Sequence, residues 1–532
     1  MIAVLIAIYA ICAVYLLLNL KYDIQMLQQN SYRLDRYWRW LKPNFASAWR
    51  LTDVVLLLLI LSTLSTPFIN ALIIAVVFIA KIVIILRKKY KKPLVFTNRV
   101  RRIYSVAGVI VIAIAAAVAI VCGTKGNALW FYSGPVVTLA TILLLSIFSC
   151  AIVALAVIIL SPVEKNINKK FYNDAARILR SMPDLTVVGI TGSYGKTSTK
   201  HYLNAILSEH YDVLMTPGSY NTTMGVIRTV REMMKPYNSI FICEMGAKQK
   251  NDVKEICDLV NPQIGIVTAV GPMHLESFKT IENVQATKFE LVDALPSDGL
   301  AVINNDFEYC ANRPVSNVEA IRYGVADNKD CQYSAKNVKY NPDGTEFTVA
   351  GPDGFTLELK TKLVGECNIS NLVAAVIVAL HLRVPTDKIK YAVAHIEQVE
   401  HRLNVKRTPG GITIIDDAFN SNPAGSRMAV EVLSHFTQGK RIIVTPGMIE
   451  LGEKQYELNK ELGRNIGNNV DVAVIVGEYN RDALVDGVKS TEFDEKNLHT
   501  VASFNDAQKL LAQIMRSGDT VLYENDLPDT FK

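Results

Sequence analysis

Leu185-Thr186-Val187-Val188-Gly189-Ile190-Thr191-Gly192-Ser193-Tyr194-Gly195-Lys196-Thr197-Ser198-Thr199-Lys200 is the stretch from which the rest of the 532-residue chain is best read. Its apolar opening, Leu185–Ile190, predicts a buried strand. Gly192 and Gly195 then bracket a short loop, and a helix-like stretch follows through Leu207. Strand, glycine loop and helix in this order form the setting for a phosphate-binding loop. Backbone N–H groups and the helix N-terminus face an anion, Lys196 reaches its terminal phosphates, and Thr197 can hold Mg2+. Ile190 stands where the usual eight-residue pattern has its first glycine, so the loop is a variant. An incidental Gly-Lys-Thr in a turn is disfavoured by the strand before it and the helix after it.

Working outward toward the C-terminus, Ile240–Cys243 reads as a second buried strand and ends in Glu244-Met245-Gly246-Ala247. Ile264–Val270 reads as a third and runs into Gly271-Pro272-Met273-His274-Leu275-Glu276. A carboxylate at the C-terminal end of a strand beside a phosphate-loop strand is where an open α/β sheet places its ligands. Beyond His401-Arg402-Leu403, strands at Ile412–Ile415, Arg441–Pro446, Val472–Val476 and Thr520–Tyr523 alternate with helical stretches. That alternation predicts a small Rossmann-like domain.

Working toward the N-terminus, the composition changes. Half of all residues are apolar, and nearly all the long apolar runs fall before residue 161. Met1–Leu20, Ile103–Cys122 and a segment within Trp130–Leu160 each meet the roughly 20 residues a membrane helix needs. Trp130, Phe131 and Tyr132 are placed like an interfacial aromatic belt. Met1–Leu20 has neither a basic leader nor a small-residue cleavage site, so it reads as a retained anchor. Val54–Leu86 is long for one span and short for two. The loops flanking it are both basic: Lys21, Arg33, Arg36, Arg39, Lys42 and Arg50 before it, and Arg87, Lys88, Lys89, Lys91, Lys92, Arg99, Arg101 and Arg102 after it. If both stay in the cytoplasm, the segment crosses twice, with Pro67 and Asn70 at its turn. Five spans follow, with the N-terminus outside and everything after Ser161 inside; a single long tilted helix is the alternative. The net charge of +6 sits largely in these two loops, which points to a membrane surface and away from nucleic acid. Eight scattered cysteines without a C-x-x-C pair argue against disulfides and zinc. The expected fold class is therefore multi-domain: a helical transmembrane bundle over residues 1–165, an α/β phosphate-loop central domain over 166–398, and an α/β Rossmann-like C-terminal domain over 399–532.

The motifs after about Pro183 resemble, in order, those of the Mur ligases, and the phosphate loop is also similar to that of folylpolyglutamate synthases. These enzymes phosphorylate a carboxylate with ATP and let an amine attack the acyl phosphate. The resemblance implies that Gly192, Gly195, Lys196, Thr197 and Ser198 surround the ATP phosphates. It implies that Thr197, Glu244 and His274 hold Mg2+, two ions in all, and that Lys196, Lys288 and His274 form the catalytic set. Ala286-Thr287-Lys288-Phe289-Glu290 resembles a segment carrying a carbamylated lysine; from its residues alone Lys288 reads equally as a solvated helix lysine. Gly365-Glu366-Cys367-Asn368-Ile369-Ser370-Asn371 is similar to a segment whose asparagines face adenine, which implicates Asn368 and Asn371, although Asn368 also reads as a simple helix cap. Arg402 and Asp416 match nucleotide and ribose contacts. Asn221 and Thr222 in Gly218–Gly225, with Asn420 and Asn422 in Asp416–Pro423, match substrate contacts. Glu244–Ala247 and Gly447-Met448-Ile449-Glu450-Leu451-Gly452 resemble the branch that adds D-alanyl-D-alanine to a cell-wall peptide.

Four departures bear on specificity. Cys367 replaces a histidine, and an aspartate is missing before Met448. The basic Lys-Gly-Ser-Arg expected near Tyr523–Asp529 is absent. Only about 22 residues separate the last expected span from the phosphate-loop strand, too few for the UDP-sugar domain of the family. The expectation is thus an ATP-dependent amide-bond ligase of a bacterial cytoplasmic membrane, with its catalytic domains in the cytoplasm. It would join an amino acid or dipeptide to a carboxylate-bearing envelope precursor, lipid-linked or otherwise presented at the membrane lipid surface. A poly-γ-glutamate or folylpolyglutamate-type synthase, and a nucleotide-binding membrane scaffold without turnover, are the alternatives.

Overall fold

In the computed structural model the apolar run forms β1, Thr186–Thr191, and every residue after Thr186 is buried. Its side chains serve two cores alternately. Val188 and Ile190 pack with the helix Glu366–His381, while Leu185 and Val187 pack among the helices Asp252–Val260 and Ile281–Asp293. A strand covered on both faces has no polar side to show, which is why the run is unbroken.

The structure describes residues 2–45, 51–62, 67–88, 90, 92–123, 129–325, 330–341, 344–418 and 422–527, without the side chains of 2–6, 59–62, 67–71, 122–123, 129–136 and 341. It divides into two units, Met1–Lys169 and Lys170–Leu527. In the second unit β1 is joined by β2 (Val213–Met215), β3 (Ile240–Glu244), β4 (Ile264–Val267), β5 (Leu300–Asn304), β6 (Glu319–Gly324), β7 (Tyr333–Asn341), β8 (Gly344–Ala350) and β9 (Thr356–Thr361). The order is β2-β3-β1-β4-β5-β6-β7-β8-β9. Pairing is parallel from β2 to β7 and antiparallel between β7, β8 and β9, so the sheet is mixed. The sequence reading did not foresee the β7–β9 meander. The C-terminal sheet holds β10 (Asn404–Arg407), β11 (Thr413–Asp417), β12 (Arg441–Thr445), β13 (Val472–Val476), β14 (Leu498–Val501) and β15 (Thr520–Glu524), in the order β10-β11-β15-β12-β13-β14. Only β10 runs antiparallel to its neighbour, so the expected parallel core is present with an added edge.

The first unit is helical: α1 (Ile2–Gln29), α2 (Leu34–Asn44), α3 (Leu51–Ser62), α4 (Pro67–Arg87), α5 (Asn98–Gly123), α6 (Leu129–Ile147) and α7 (Ser149–Arg180), the last continuing into the second unit. Ala7–Gln29, Asn98–Val121 and Ser149–Arg180 are long and apolar enough to cross a membrane. The single span expected within Trp130–Leu160 is instead two helices meeting at Phe148. The basic segment before α3 is not all loop: α2 buries Tyr37, Trp40 and Leu41, spaced i, i+3, i+4, along one face.

The ambiguous segment forms two helices. Asp53, near the start of α3, pairs with Lys81, near the end of α4, and Tyr15 of α1 donates to the same carboxylate at 2.9 Å. All three are buried. The pairing makes α3 and α4 antiparallel, so the chain enters at Leu51 and leaves at Arg87 from one end of the pair. At 12 residues α3 rises only about 18 Å. Arg50, Lys89, Lys91 and the side chains of Pro67, Asn70, Cys122, Trp130, Phe131 and Tyr132 lie outside the described set, as do Pro528 and Asp529. The described cysteines are all free thiols.

Candidate active site

The loop between β1 and α8 (Lys196–Ser208) is fastened on every side. Ser193 N–H donates to the Ala269 carbonyl at 2.7 Å, and Ser193 Oγ engages both the N–H and the carbonyl of Gly271 at 3.1 Å. Thr191 Oγ1 donates to the Met245 carbonyl at 2.9 Å, and Thr268 Oγ1 to the Tyr194 carbonyl. Gly192 and Gly195 have φ of +149° and +79°. A Cβ at Gly192 would stand 2.1 Å from Thr268 Oγ1, and one at Gly195 2.4 Å from Asn371 Oδ1. Conformation and space both demand glycine there. The loop thus sits at the carbonyl ends of β1, β3 and β4 with the N-terminus of α8 opening from it, the geometry that receives phosphate.

Glu244 ends β3 and is buried at 1% exposure. Thr197 Oγ1 donates to its Oε2 at 3.1 Å and Asn221 Nδ2 to its Oε1 at 2.9 Å, while Lys200 Nζ lies 3.0 Å from Oε2. Burial alone would raise its pKa. The ammonium groups of Lys200 and Lys196 outweigh burial and hold the carboxyl below its usual range. Lys196 Nζ donates to the Gly192 carbonyl at 2.7 Å. Burial, with Arg402 adding, lowers its pKa to about 8 against the pull of Glu244. Lys288, on the helix Ile281–Asp293, is also buried, and burial plus the charge of Lys196 brings it down to about 7.

Not every expected residue meets the others. His274, at φ +53°, turns its Nδ1 to the carboxylate of Glu450 in the C-terminal domain, and burial lowers its pKa. Asn371 Oδ1 accepts from Thr199 at 3.1 Å, and Asn368 accepts from Tyr202 at 2.8 Å while donating to the Val364 carbonyl at 2.8 Å. Both asparagines are buried and brace α8. Asn422 caps the helix Pro423–Ser434 by accepting from Gly425 N–H at 2.8 Å, and Thr222 caps Thr223–Met233 in the same way at 3.3 Å. These bonds are local backbone duties. Ser198 is buried in the first turn of α8. Asn420 lies outside the described residues. Asp416 pairs outward with His401 at 2.8 Å and Lys406 at 3.8 Å. Its neighbour Asp417 accepts from Leu403 N–H at 3.1 Å; desolvation against the opposing charge of Arg402 raises it to about 6, and desolvation lowers Arg402.

The sequence reading missed Lys200, Asp417 and Glu450 as site residues. Lys200 follows Thr197 by three positions on one helix, so both occupy one face, and that spacing was legible. Among the described residues no three His, Cys, Asp or Glu side chains form a metal cage. The Thr197 hydroxyl beside the Glu244 carboxylate nevertheless offers hard oxygens, and Mg2+ characteristically takes one or two carboxylates and fills its shell with phosphate and water. The donor set fits one such ion. At His274 the adjacent carboxylate is that of Glu450, which engages Nδ1, so a second ion there would need further oxygens from elsewhere, such as a modified Lys288.

Residues 190–379 match the Mur ligase middle domain, and residues 401–523 match the Mur ligase glutamate ligase domain. The chain is 26% identical over 344 residues to UDP-N-acetylmuramoyl-tripeptide–D-alanyl-D-alanine ligase of Bacillus subtilis, covering 64% of this chain and 72% of that one. It is 29% identical over 330 residues to the enzyme of the same name from Haemophilus influenzae, covering 61% and 70%. The crystal structure of MurF ligase from Thermotoga maritima in complex with ADP superposes with a TM-score of 0.59 at 26% identity, over 67% of this chain and 80% of that one. MurF from Acinetobacter baumannii superposes with a TM-score of 0.60 at 23% identity, over 67% and 77%, a likeness of fold.

Proposed function

This chain belongs to the Mur ligase family of ATP-dependent carbon–nitrogen ligases, and from that premise we propose that it adds a dipeptide of the D-alanyl-D-alanine class to the carboxylate of a muramyl peptide presented at a membrane. The observation that carries the reading is the meeting of Lys196, Thr197 and Glu244 at the strand ends. Lys196 steadies the terminal phosphates of ATP, and the α8 N-terminus supplies N–H donors to them. Thr197 and Glu244 would hold magnesium, which when bound neutralises charge on the phosphates and the transferring group. The carboxylate substrate accepts the γ-phosphoryl group, the amine attacks the acyl carbon, and phosphate leaves with the C–O bond electrons.

Lys288 fits a carbamate. Lowered to about 7 by burial, its amine has a substantial neutral fraction near neutral pH, and the neutral amine is the form that adds to CO2 with loss of one proton. The carbamate would add anionic oxygens to a second magnesium site at His274. Full-length protein equilibrated with 13C-bicarbonate is expected to show one slowly exchanging carbamate carbon resonance. The signal should grow as pH rises through about 7 and be absent from Lys288→Ala. Identical spectra for the two proteins would remove the carbamate.

Support for membrane presentation comes from the first unit. Among the described residues three helices have the length and composition to cross a bilayer, and α5 exposes Val109, Ile112, Ile120 and Val121. The α3–α4 hairpin brings both basic segments to one end of that pair, as a cytoplasmic face requires. The reading is a multi-pass protein of the bacterial cytoplasmic membrane with its ligase unit inside. Phosphate release by the detergent-purified chain with ATP and D-alanyl-D-alanine tests it against UDP-linked and lipid-linked muramyl tripeptide. Turnover several-fold faster on the lipid-linked acceptor is the expected result. Equal turnover on both would reduce the first unit to an anchor, and turnover with neither would refute the substrate assignment.

A further inference from the structure

The segment after β12, Pro446–Leu451, is held by a converging set of side-chain amides. Gln455, Asn459 (3.2 Å) and Asn480 (2.9 Å) all donate to the Met448 carbonyl. Met448 N–H returns a bond to Asn459 Oδ1 at 2.8 Å, and Asn525 donates to the Gly447 carbonyl at 2.5 Å. A satisfied buried network of this kind fixes one backbone shape. What that shape presents is Glu450, with φ of +61°. Its carboxylate accepts from His274 Nδ1, its carbonyl accepts from Glu276 N–H at 3.3 Å, and Lys248 Nζ lies 3.6 Å from its other oxygen. All three partners belong to the central domain. His274 and Glu450 are thus two left-handed, non-glycine residues meeting across a domain boundary. Such backbone persists where its surroundings over-determine it, and it gathers at functional sites.

Resting on the ligase reading above, we propose that Glu450 is a positioning residue for the reaction: from the C-terminal domain it orients the His274 imidazole, so that the catalytic set is complete only with the two domains docked. An ionised carboxylate can only accept, so Nδ1 carries the proton and Nε2 keeps its lone pair. The second partner of a histidine sets tautomer and ring direction in this way. The link continues into the phosphate loop, because His274 closes the segment whose Gly271 grips Ser193 Oγ on both sides. Glu450 touches no reacting atom in this arrangement and acts through His274. Lys248 shares the carboxylate at 3.6 Å, on the oxygen away from His274, which makes it the control for loss of a Glu450 partner.

The experiment uses the full-length protein with Glu450→Gln, Glu450→Ala and Lys248→Ala. Hydrogen exchange at the Ser277 and Phe278 amides, which bond to the His274 carbonyl at 2.9 and 3.0 Å, reports the segment without any substrate. Steady-state rates with ATP, D-alanyl-D-alanine and muramyl tripeptide report the chemistry. In Glu450→Ala, exchange is expected to accelerate and kcat to fall about 10- to 100-fold, with KM for ATP within about twofold. Glu450→Gln, which keeps an acceptor oxygen, should recover part of both, and Lys248→Ala should resemble wild type. Unchanged exchange in Glu450→Ala overturns the proposal. So does a glutamine variant no better than alanine, or a parallel loss of kcat and ATP affinity. Absence of turnover in the wild type counts against the substrate assignment alone, and the exchange measurement still decides the role of Glu450.

Discussion

Lys196→Ala is expected to lower kcat by about 10²- to 10³-fold while leaving the protein folded, because the side chain serves the transferring phosphoryl group and little else. Its ammonium donates to two carbonyls of its own loop, Gly192 at 2.7 Å and Ser193 at 3.5 Å. Burial that lowers a lysine to about 8 means that folding disfavours its charged form. The sign follows from proton counting. Between about 8 and the ordinary lysine value near 10.4 the unfolded chain binds more protons at this site, so its contribution to stability rises with pH there. Below about 8 the penalty is fully present, and removing the amine relieves it. The variant should therefore resist urea at neutral pH at least as well as wild type and lose part of the alkaline rise. Nucleotide binding by wild type should weaken as pH climbs through about 8, where the ammonium discharges. Turnover above about a tenth of wild type in the alanine variant would take Lys196 out of the chemistry.

The features legible in the sequence share one property: their signals are local. The phosphate loop could be read because strand, glycines and helix follow one another within sixteen residues, and β3 and β4 because each apolar run ends at a polar residue. The α3–α4 hairpin could be read because charge on both sides of an apolar segment constrains its direction. The β7–β9 meander could not, since β9 buries only every second residue and such short, half-polar strands look like loop. Asparagine was the least informative residue. Asn221, Asn368, Asn371 and Asn422 all fall in motif positions, yet only Asn221 reaches the buried carboxylate of the site. The others cap or brace helices, a duty for which the same side chain is chosen. Asp416 and Asp417 show the same limit. Two aspartates in sequence alternate across the strand, and only the fold reveals that Asp417 is the one set against Leu403 N–H and the charge of Arg402. Glu450 depends on a contact between segments distant in the chain, which no local pattern encodes.

The pairing of Lys200 with Glu244 gives the second large effect, and it separates stability from catalysis. Both side chains are essentially solvent-free, at 0% and 1% exposure, and Lys200 also donates to the Gly218 carbonyl at 2.5 Å. Glu244→Ala strands the ammonium in the core beside Lys196, and breaking a buried pair in this way costs about 3–5 kcal/mol. Lys200→Met should cost less, because Glu244 keeps its bonds from Thr197 and Asn221 and can also take up a proton. The double variant Glu244→Ala/Lys200→Met removes both members of the pair, leaves only Lys196 without the pull of Glu244, and should recover most of the loss, so the two changes will be strongly non-additive. Pulse proteolysis of the full chain in urea measures each step. The pH dependence follows from the carboxyl being held below its usual range: the stabilisation is complete above the ordinary glutamate value near 4.3 and disappears as pH falls through the folded one. Catalysis should not follow stability. The double variant would be nearly as stable as wild type yet as inactive as Glu244→Ala, since neither retains the anionic oxygen that Thr197 faces. Additive destabilisation across the cycle would make Lys200 and Glu244 independent neighbours. Turnover in the double variant would show that the carboxylate serves the fold alone.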